Sequence, residues 1–478
     1  MGKRERWQNE FSKWFHEILD SAQIVDYRYP IKGCGVWLPY GFQIRKNVIN
    51  VIRRLLDESN HDEVLFPSLI TADMLRKEAE HISSFEAQTF WITHAGGKPL
   101  EEQYALRPTS ETAIAPMLKL WIRSHADLPK CLYQIVSIFR HETKATRPLI
   151  RVREVTTFKE AHTSHATHED AAKQVEVAVK VYSDFFDALC LPYVRSMRPD
   201  WDKFAGAEYT IAFDTVFPDG RILQIGTAHH LGQHFAKAFE ITYEKEDGSR
   251  DFVYQTSYGI SERVIAATIA IHGDDAGLVL PPAVAPVQVV LIPIPYKGSE
   301  EKVMAKVQEI SLKLKKSGIR VMLDDRAKTT PGAKFFEWEM KGVPLRIEIG
   351  PRDLQQRKVT VFRRDSQKKT LVDEEVIVDE VKRQLQLITE AMRQTANEWL
   401  KSNIRFAESI DQAKFSLDRQ QGIVEVPWCG DRACGLSLEQ QVDATVLGVG
   451  IDSHNDKVYQ CAVCQKESRQ LVRVAKTY

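Results

Sequence analysis

Between Phe139 and Glu154 the chain gathers four arginines, Arg140, Arg147, Arg151 and Arg153, with two carboxylates, Glu142 and Glu154. A guanidinium is permanently charged and forks onto phosphate or carboxylate oxygens, while a carboxylate nearby accepts from an exocyclic amine. Phosphate at Arg140 and an adenine edge at Glu142 are the chemistry this spacing suggests. The flanks 133–139 and 155–158 are β-branched and aromatic, which predicts two strands joined by a loop holding Lys144, Arg147 and Pro148. A salt-bridged surface hairpin would have the same composition, so this stretch alone leaves both readings open.

A second chemical cluster lies near the C-terminus. Cys429, Cys434, Cys461 and Cys464 form a C-x4-C and C-x2-C set, and the second pair has standard zinc spacing. Four thiolates would make a closed, structural tetrahedral site; free thiols or a disulfide are the alternatives. Residues 223–232 hold Gln224, Thr227, His229 and His230 on a strand-like run. Adjacent histidines on a strand point to opposite faces, so these two cannot easily chelate one metal. The aromatics of 201–207 could wall a pocket or belong to a core.

The elements that must position these residues follow from composition. A chain of 478 residues suggests about three domains. Lys plus Arg and Asp plus Glu are both 65, so the formal net charge is zero and any nucleic-acid contact must come from local patches. The first ten residues are charged with no apolar segment after them, and Arg6 stands where a myristoylation signal wants Ser or Thr. The longest apolar run, 283–296, is broken by Pro286, Gln288, Pro293 and Pro295 and falls short of the about 20 residues a bilayer span needs. No membrane association and a cytoplasmic location are expected. Seven cysteines in this length argue against a disulfide scaffold. The proline-rich stretch 278–286 reads as a linker. After it, strands at 287–294, 319–323, 345–349 and 358–362 alternate with helices at 300–317 and 332–341, which implies a parallel-rich sheet covered on both faces. A long helix over 376–409 leads to the cysteine-bearing tail. The expected units are therefore 1–283, 284–385 and 386–478.

The string FRHETKATRPLIRVRE resembles motif 2 of class II aminoacyl-tRNA synthetases, and with EAHTSH, residues 160–165, it is most similar to the prolyl-tRNA synthetase family. The resemblance covers nearly the whole chain. Its motif 1 would be a helix over 41–57 and a strand over 63–67 at a dimer interface. Motif 3 would be residues 256–263, followed by an apolar helix over 264–271. Family members commonly carry tryptophan and two threonines where this chain has Tyr258, Ser261 and Glu262.

What the resemblance implies is an α/β and α+β multidomain protein: an antiparallel-sheet catalytic domain, an α/β anticodon-binding domain and a C-terminal zinc-binding domain. The implied reaction is ATP-dependent activation of L-proline to prolyl adenylate and transfer to the 3′ end of tRNA(Pro), with AMP and pyrophosphate released and Mg2+ taking part. Arg140 and Arg263 would be catalytic. Thr109, Glu111, Arg140 and His229 would meet proline, although Thr109 and Glu111 also suit an ordinary helix start. Arg140, Glu142, Arg151, Val152, Gln224, Thr227, Ser261 and Arg263 would meet ATP. Glu339 and Arg346 would read the two guanines of the anticodon, beside a basic patch at Arg363, Arg364, Lys368 and Lys369. The four cysteines would hold structural Zn2+, the chain would be a homodimer through motif 1, and the terminal Tyr478 would fold toward the active site. Glu160 and Arg221 are 61 positions apart (221 − 160), too few for the editing insertion of bacterial-type relatives. A pocket that discriminates one methylene by about 1–3 kcal/mol would admit some alanine and cysteine. A non-catalytic paralogue, or a class II synthetase for threonine, serine, glycine or histidine, is the rival reading. The first would normally lose Arg140, Glu142 or Arg263. A threonyl enzyme would want a Cys-His-His zinc site in its pocket, which Cys34, Cys131 and Cys190 do not suggest.

Overall fold

A computed structural model describes residues 2–76, 86–419, 421–451 and 457–478. Its organising feature is an 11-stranded sheet. In chain order the elements that build it are α1 (Pro39–Glu58), β1 (Asp62–Glu63), α2 (Glu111–Trp121), β2 (Lys130–Phe139), β3 (Glu154–His165), α3 (His168–Ala188), β4 (Val194–Met197), β5 (Tyr209–Val216), β6 (Ile222–Gly232), β7 (Tyr254–Ile260) and α4 (Arg263–His272). The strand expected at 63–67 is shorter: only Asp62 and Glu63 pair with β2, in parallel, and Val64 N–H adds one bond to the Tyr133 carbonyl at 2.8 Å.

β7 lies antiparallel between β3 and β6, and β3 between β7 and β2. Their register sets rows of residues across the sheet. Gln134, Glu160, Gly259 and Thr227 form one row; Leu132, His162, Ser257, His229 and Thr210 form the next. The other face is apolar and is covered by α1, α3 and α4, whose Val48, Ile52, Val175, Tyr182, Phe185 and Ile265 join one core with Ala161, Ala228 and Tyr258. One charge interrupts it. Lys159 is buried there, donating to the Tyr182 hydroxyl at 3.0 Å and the Tyr258 carbonyl at 3.1 Å, with its ammonium 4.7 Å from both ring centres. Burial pushes its pKa well below the usual lysine range.

The middle unit comprises β8 (Val289–Pro293), α5 (Glu300–Lys316), β9 (Val321–Leu323), α6 (Pro331–Met340), β10 (Leu345–Ile349), β11 (Lys358–Arg363) and β12 (Lys369–Asp373), followed by α7 (Ile377–Ser402). Both faces are covered as alternation predicts: Val289 and Leu291 face α5 and α7, while Val290 and Ile292 face Trp338 of α6. The pairing is less parallel than expected, because β8 pairs in parallel with β9 and β10 but β10–β11–β12 are antiparallel. The long helix also stops seven residues early, at Ser402, where the chain turns into β13 (Ile404–Phe406).

β13, β14 (Ile423–Trp428), β15 (Thr445–Gly450) and β16 (Gln470–Ala475), with α8 (Arg432–Val442), extend the catalytic sheet, ordered β13-β14-β16-β15-β4. Gly448 permits the join. Its φ is +107°, and a Cβ there would sit 1.9 Å from the Met197 carbonyl oxygen, one residue from where Val449 pairs with Met197. Among the described residues no helix is long and apolar enough to cross a membrane.

A buried ion pair links the middle unit to the segment after α4. Arg364 donates to both oxygens of Asp274 at 2.6 and 2.7 Å, with side chains 1% and 2% exposed. Removing one partner leaves the other charge buried and uncompensated. Asp274→Ala should therefore cost about 3–5 kcal/mol, read as a lower thermal midpoint; an unchanged midpoint would show that the pair does not hold these units.

Candidate active site

The cleft-facing rows of β3, β6 and β7 form the floor of an open cavity of about 290 Å³. The loop between β2 and β3 closes one end: Arg147 and Arg151 pair backbone to backbone, and Arg140 N–H donates to the Arg153 carbonyl at 2.8 Å. This resolves the hairpin alternative, because Arg140, Glu142 and Arg151 of the loop face the cavity. Arg140, Glu142, Arg151 and Val152 all line it, together with Gln224, Thr227, Ser261 and Arg263.

Two of the three arginines are anchored on backbone carbonyls. Arg140 Nε donates to the Pro108 carbonyl at 3.0 Å, and Arg263 Nε donates to the Ile150 carbonyl at 2.9 Å. Arg151 Nε lies 4.0 Å from a Glu142 oxygen. Burial lowers the Arg263 pKa to about 10, helped by the charges of Arg140 and Arg151 and opposed by Glu142. Burial likewise lowers Arg140, against the carboxylates of Glu142, Glu111 and Glu160. Where Arg140, Arg151 and Arg263 gather around Glu142, the wall carries a local excess of positive charge, which favours a polyanion.

The other end of the cavity is built for a small cation. Thr109 Oγ1 hydrogen-bonds Glu111 Oε2, and Ser257 Oγ donates to Glu111 Oε1 at 3.1 Å. Thr109 does not cap the helix: α2 begins after Ser110 without a side-chain cap bond. His229 bonds Thr210 through Nδ1 at 2.9 Å, and its ring stands 4.6 Å from Phe204. Phe204, Asp202 and Lys203 line the cavity, whereas Trp201 packs away from it, against Trp428 of β14 at 6.0 Å. The 201–207 stretch is thus wall and core together.

Several lining residues had no assigned role in the sequence reading. Glu160 accepts from Gln134 Nε2 at 3.0 Å, while its second oxygen lies 3.6 Å from His162 Nε2. The alternation of β3 was the available signal, since residues 158 and 160 share a face once the bulge opposite Val136–Ile138 is counted. Arg198 donates to Asp214 at 2.8 Å and to Gln224 Oε1 at 3.1 Å. It comes from a loop that carries no sequence signal.

The three departures from the family pattern have internal partners. The Tyr258 hydroxyl bonds His61 and Gln174, giving a buried hydroxyl the partners it requires. Ser261 Oγ accepts from Arg263 N–H at 3.3 Å. Glu262 accepts from Thr156 N–H at 3.0 Å and Thr156 Oγ1 at 2.9 Å, tying the start of α4 to β3.

Away from the cleft, Arg346 is sandwiched 4.0 Å from the Phe335 ring and 4.1 Å from Phe362, donating to Glu339 at 2.6 Å and Glu348 at 3.0 Å. Its side chain is 5% exposed against 27% for Glu339. The four cysteine sulfurs lie within 4.8 Å of one another, and Cys464 Sγ is 3.7 Å from Cys429 Sγ. That distance is far beyond the about 2.05 Å of a disulfide and equals the edge of a tetrahedron with about 2.3 Å Zn–S bonds. Tyr478 pairs its N–H with the Ile222 carbonyl at 3.1 Å and its hydroxyl with Asp219 at 2.8 Å, beneath the Arg147 guanidinium.

Three family models match the chain: the tRNA synthetase class II core domain (G, H, P, S and T) over 90–272, an anticodon binding domain over 288–384, and a prolyl-tRNA synthetase C-terminal domain over 410–478. The chain is 53% identical over 479 residues to a proline–tRNA ligase of Sulfurisphaera tokodaii and 55% identical over 478 residues to one of Metallosphaera sedula, each time with 99% of both chains covered. A solved structure of Giardia lamblia prolyl-tRNA synthetase in complex with prolyl-adenylate superposes with a TM-score of 0.96 at 37% identity, covering 100% of this chain and 99% of that one.

Burial raises the Glu262 carboxyl from its ordinary 4.5 to about 7, against the pull of Thr156 and Arg45. The folded protein therefore keeps a proton that the unfolded chain releases. This residue's contribution to stability is full below pH 4.5 and fades as pH rises through about 7. The loss amounts to roughly 3 kcal/mol at about 1.4 kcal/mol per unit. Glu262→Gln keeps the acceptor but cannot ionise, so it should flatten that part of the pH–stability curve; an unchanged slope in the variant would locate the effect elsewhere.

Proposed function

The chain belongs to the prolyl-tRNA synthetase family of class II aminoacyl-tRNA synthetases, with proline activation by ATP and tRNA charging as its activity, and from that premise we infer how its residues divide the work. The observation that carries the assignment is the meeting, in one cavity, of three arginines with the Glu111, Thr109 and His229 end.

Proline is a secondary ammonium with two N–H donors. Glu111, fixed by Ser257 and Thr109, accepts from the amine, and Phe204 and His229 wall the ring. The substrate carboxylate is already ionised and attacks the α-phosphorus of ATP without a general base; the bond to the β-phosphate oxygen breaks and pyrophosphate leaves. Catalysis is positioning and charge stabilisation. Arg140 holds the carboxylate and α-phosphate together. Arg151 and Arg263 take the outer phosphates, Glu142 the adenine amine, and Val152 and Ser261 the nucleotide's flanks. Mg2+ arriving with ATP would neutralise the remaining phosphate oxygens, with the Thr227 hydroxyl and Gln224 amide oxygen as donors of the kind such a hard cation takes. The terminal ribose hydroxyl of tRNA(Pro) then attacks the adenylate carbonyl and AMP departs.

The proposed units are residues 1–283, 284–385 and 386–478, with α7 running across the second boundary and the last unit sharing a sheet with the first. Glu339, steadied by Arg346, is the anticodon reader this geometry favours; Arg346 has its donors in use and acts as a positioning residue. Exposed Leu65, 81% accessible beside Phe66–Pro67, supports a homodimer through this region. The stretch from Glu160 to Arg221 is taken up by β3, α3, β4 and β5, which favours a chain without an editing domain and hence some alanine and cysteine activation. Seven free cysteines accord with a reducing cytoplasm.

Zn2+ held by Cys429, Cys434, Cys461 and Cys464 would tie β14, α8 and the segment before β16 together, as a closed structural site. Cys464→Ser, on the exposed ligand, should lower bound zinc and the thermal midpoint while leaving amino-acid activation within severalfold; full zinc retention would assign the metal elsewhere.

The function is tested by ATP–pyrophosphate exchange with each of the twenty amino acids in the absence of tRNA. Exchange should be strongest with proline, weaker with alanine and cysteine, and reduced by orders of magnitude in Arg140→Ala. No exchange by folded, zinc-loaded protein would favour the paralogue, and a near-normal Arg140→Ala rate would overturn the role of that residue.

A further inference from the structure

On the far side of the β6 edge from His229, three side chains converge from separate elements. His168 is the first residue of α3, Glu208 precedes β5, and His230 lies on β6. One carboxylate oxygen serves both rings: Glu208 Oε2 is 2.9 Å from His168 Nε2 and 3.2 Å from His230 Nδ1. The three ligand atoms all lie within 4.8 Å of one another.

The hydrogen bonds around His230 assign its tautomer. Nε2 faces the His168 carbonyl at 3.4 Å, an acceptor, so it carries the proton; the Gly232 N–H points at Nδ1 from 3.2 Å, so Nδ1 offers a lone pair. Two acceptors, Nδ1 and Glu208 Oε2, then face each other across 3.2 Å with no proton between them. The arrangement offers a shared cation the Nδ1 lone pair in place of the Gly232 N–H. It is also the second-shell pattern of a metal-binding histidine, whose other ring N–H is fixed by a backbone carbonyl.

The spacing fits. Nitrogen and oxygen ligands at about 2.0–2.1 Å from Zn2+ in a tetrahedron stand about 3.3 Å apart, close to the two distances here. The surroundings fix the ligands. Tyr209 stacks on His230 with ring centres 5.2 Å apart, and Tyr254 meets the His168 ring edge-on at 5.8 Å. Gly232, at φ +56°, leaves room for the carboxylate, since a Cβ there would sit 2.2 Å from Glu208 Oε1.

We propose that His168, Glu208 and His230 form a second metal site, a two-histidine, one-carboxylate set that takes Zn2+ or a similar divalent transition ion and leaves a coordination position open to solvent. It is separate from the cysteine site and from the reaction in the cleft. Its connection to the cleft is Lys203, which lines the cavity and donates to the Glu208 carbonyl at 3.2 Å. A bound ion would pin the start of α3 to the β5–β6 hairpin behind the proline end.

The test is metal titration of the full-length protein after chelator treatment, with Co2+ as the spectroscopic probe and Zn2+ for stoichiometry. Cobalt in the cysteine site gives intense thiolate charge-transfer bands; cobalt at two histidines and a carboxylate gives only weak d–d bands. Wild type should bind a further equivalent beyond the one that saturates the thiolate bands. His168→Ala and Glu208→Gln, at side chains each 46% exposed and so tolerant of change, should each weaken that equivalent by at least about tenfold while the thiolate bands persist. Cys464→Ser should do the reverse. Wild type that saturates with the thiolate bands alone would overturn the proposal, and so would variants that still take the further equivalent with wild-type affinity.

Discussion

The antiparallel register of β3 between β2 and β7 is the constraint on which the rest of the structure depends. Glu160 sits opposite Gln134 on one side and Gly259 on the other, so the row that crosses the cleft is set by backbone hydrogen bonds. Strand side chains alternate, and a slip by one residue would exchange the two faces. Lys159 and Ala161 would then enter the cleft, and Glu160 and His162 would be driven into the core beside Tyr182 and Phe186. The apolar packing of α3 and α4 against Ala161, Ala228 and Tyr258 therefore fixes the chemistry on the opposite face, although none of those groups touches it.

The cleft itself is electrostatically unfinished without ligands. The charges of Arg140 and Arg151 depress the protonation of Arg263, and burial strengthens the repulsion relative to water. Carbonyl oxygens at Pro108 and Ile150 anchor two of the guanidiniums, and Glu142, with Glu111 and Glu160 acting on Arg140, partly neutralises the group. Fixing donors before the reaction begins spares the cost of reorganising them when charge develops on the α-phosphate. The same site keeps its carboxylates apart: Glu142 among the arginines, Glu111 held by Ser257 and Thr109 at the other end.

Legibility followed the range of the determinant. The arginine-rich loop, the apolar helix after residues 256–263 and the cysteine spacing are local patterns, and each lies where its residues suggested. The middle unit was readable because strands and helices alternate over 287–362, although the reversal to antiparallel at β11 depends on the tight connection through Pro351–Gln356, which composition does not announce. The surroundings of Arg346 were not legible, because only the tertiary approach of Phe335 and Phe362 buries its guanidinium. Arg198 was invisible, because its value lies in reaching Asp214 and Gln224 from different strands. The His168–Glu208–His230 cluster was hidden in the same way, spread over 63 positions (230 − 168 + 1) and three elements.

Least legible of all was the joining of the C-terminal strands to the catalytic sheet, and that union ties distant parts of the chain to the cleft. Gly448 lets β15 lie against β4, and the carbonyl of its neighbour Leu447 accepts from Arg198 at 2.6 Å. Arg198 in turn holds Gln224, so the position of a cleft amide rests on a carbonyl from the C-terminal unit. Trp201, beside the cavity-lining residues 202–204, packs on Trp428 and fills the space that the missing side chain of Gly435 leaves. Trp428 and Gly435 each adjoin a cysteine of the sulfur cluster, Cys429 and Cys434. Tyr478 completes the arrangement by seating its ring under Arg147 of the arginine loop. A zinc ion that orders the cysteine segment would therefore act on the cleft through packing and a single arginine, at a distance from any reacting atom, which is why the cysteines can be structural and still matter to the geometry of the site.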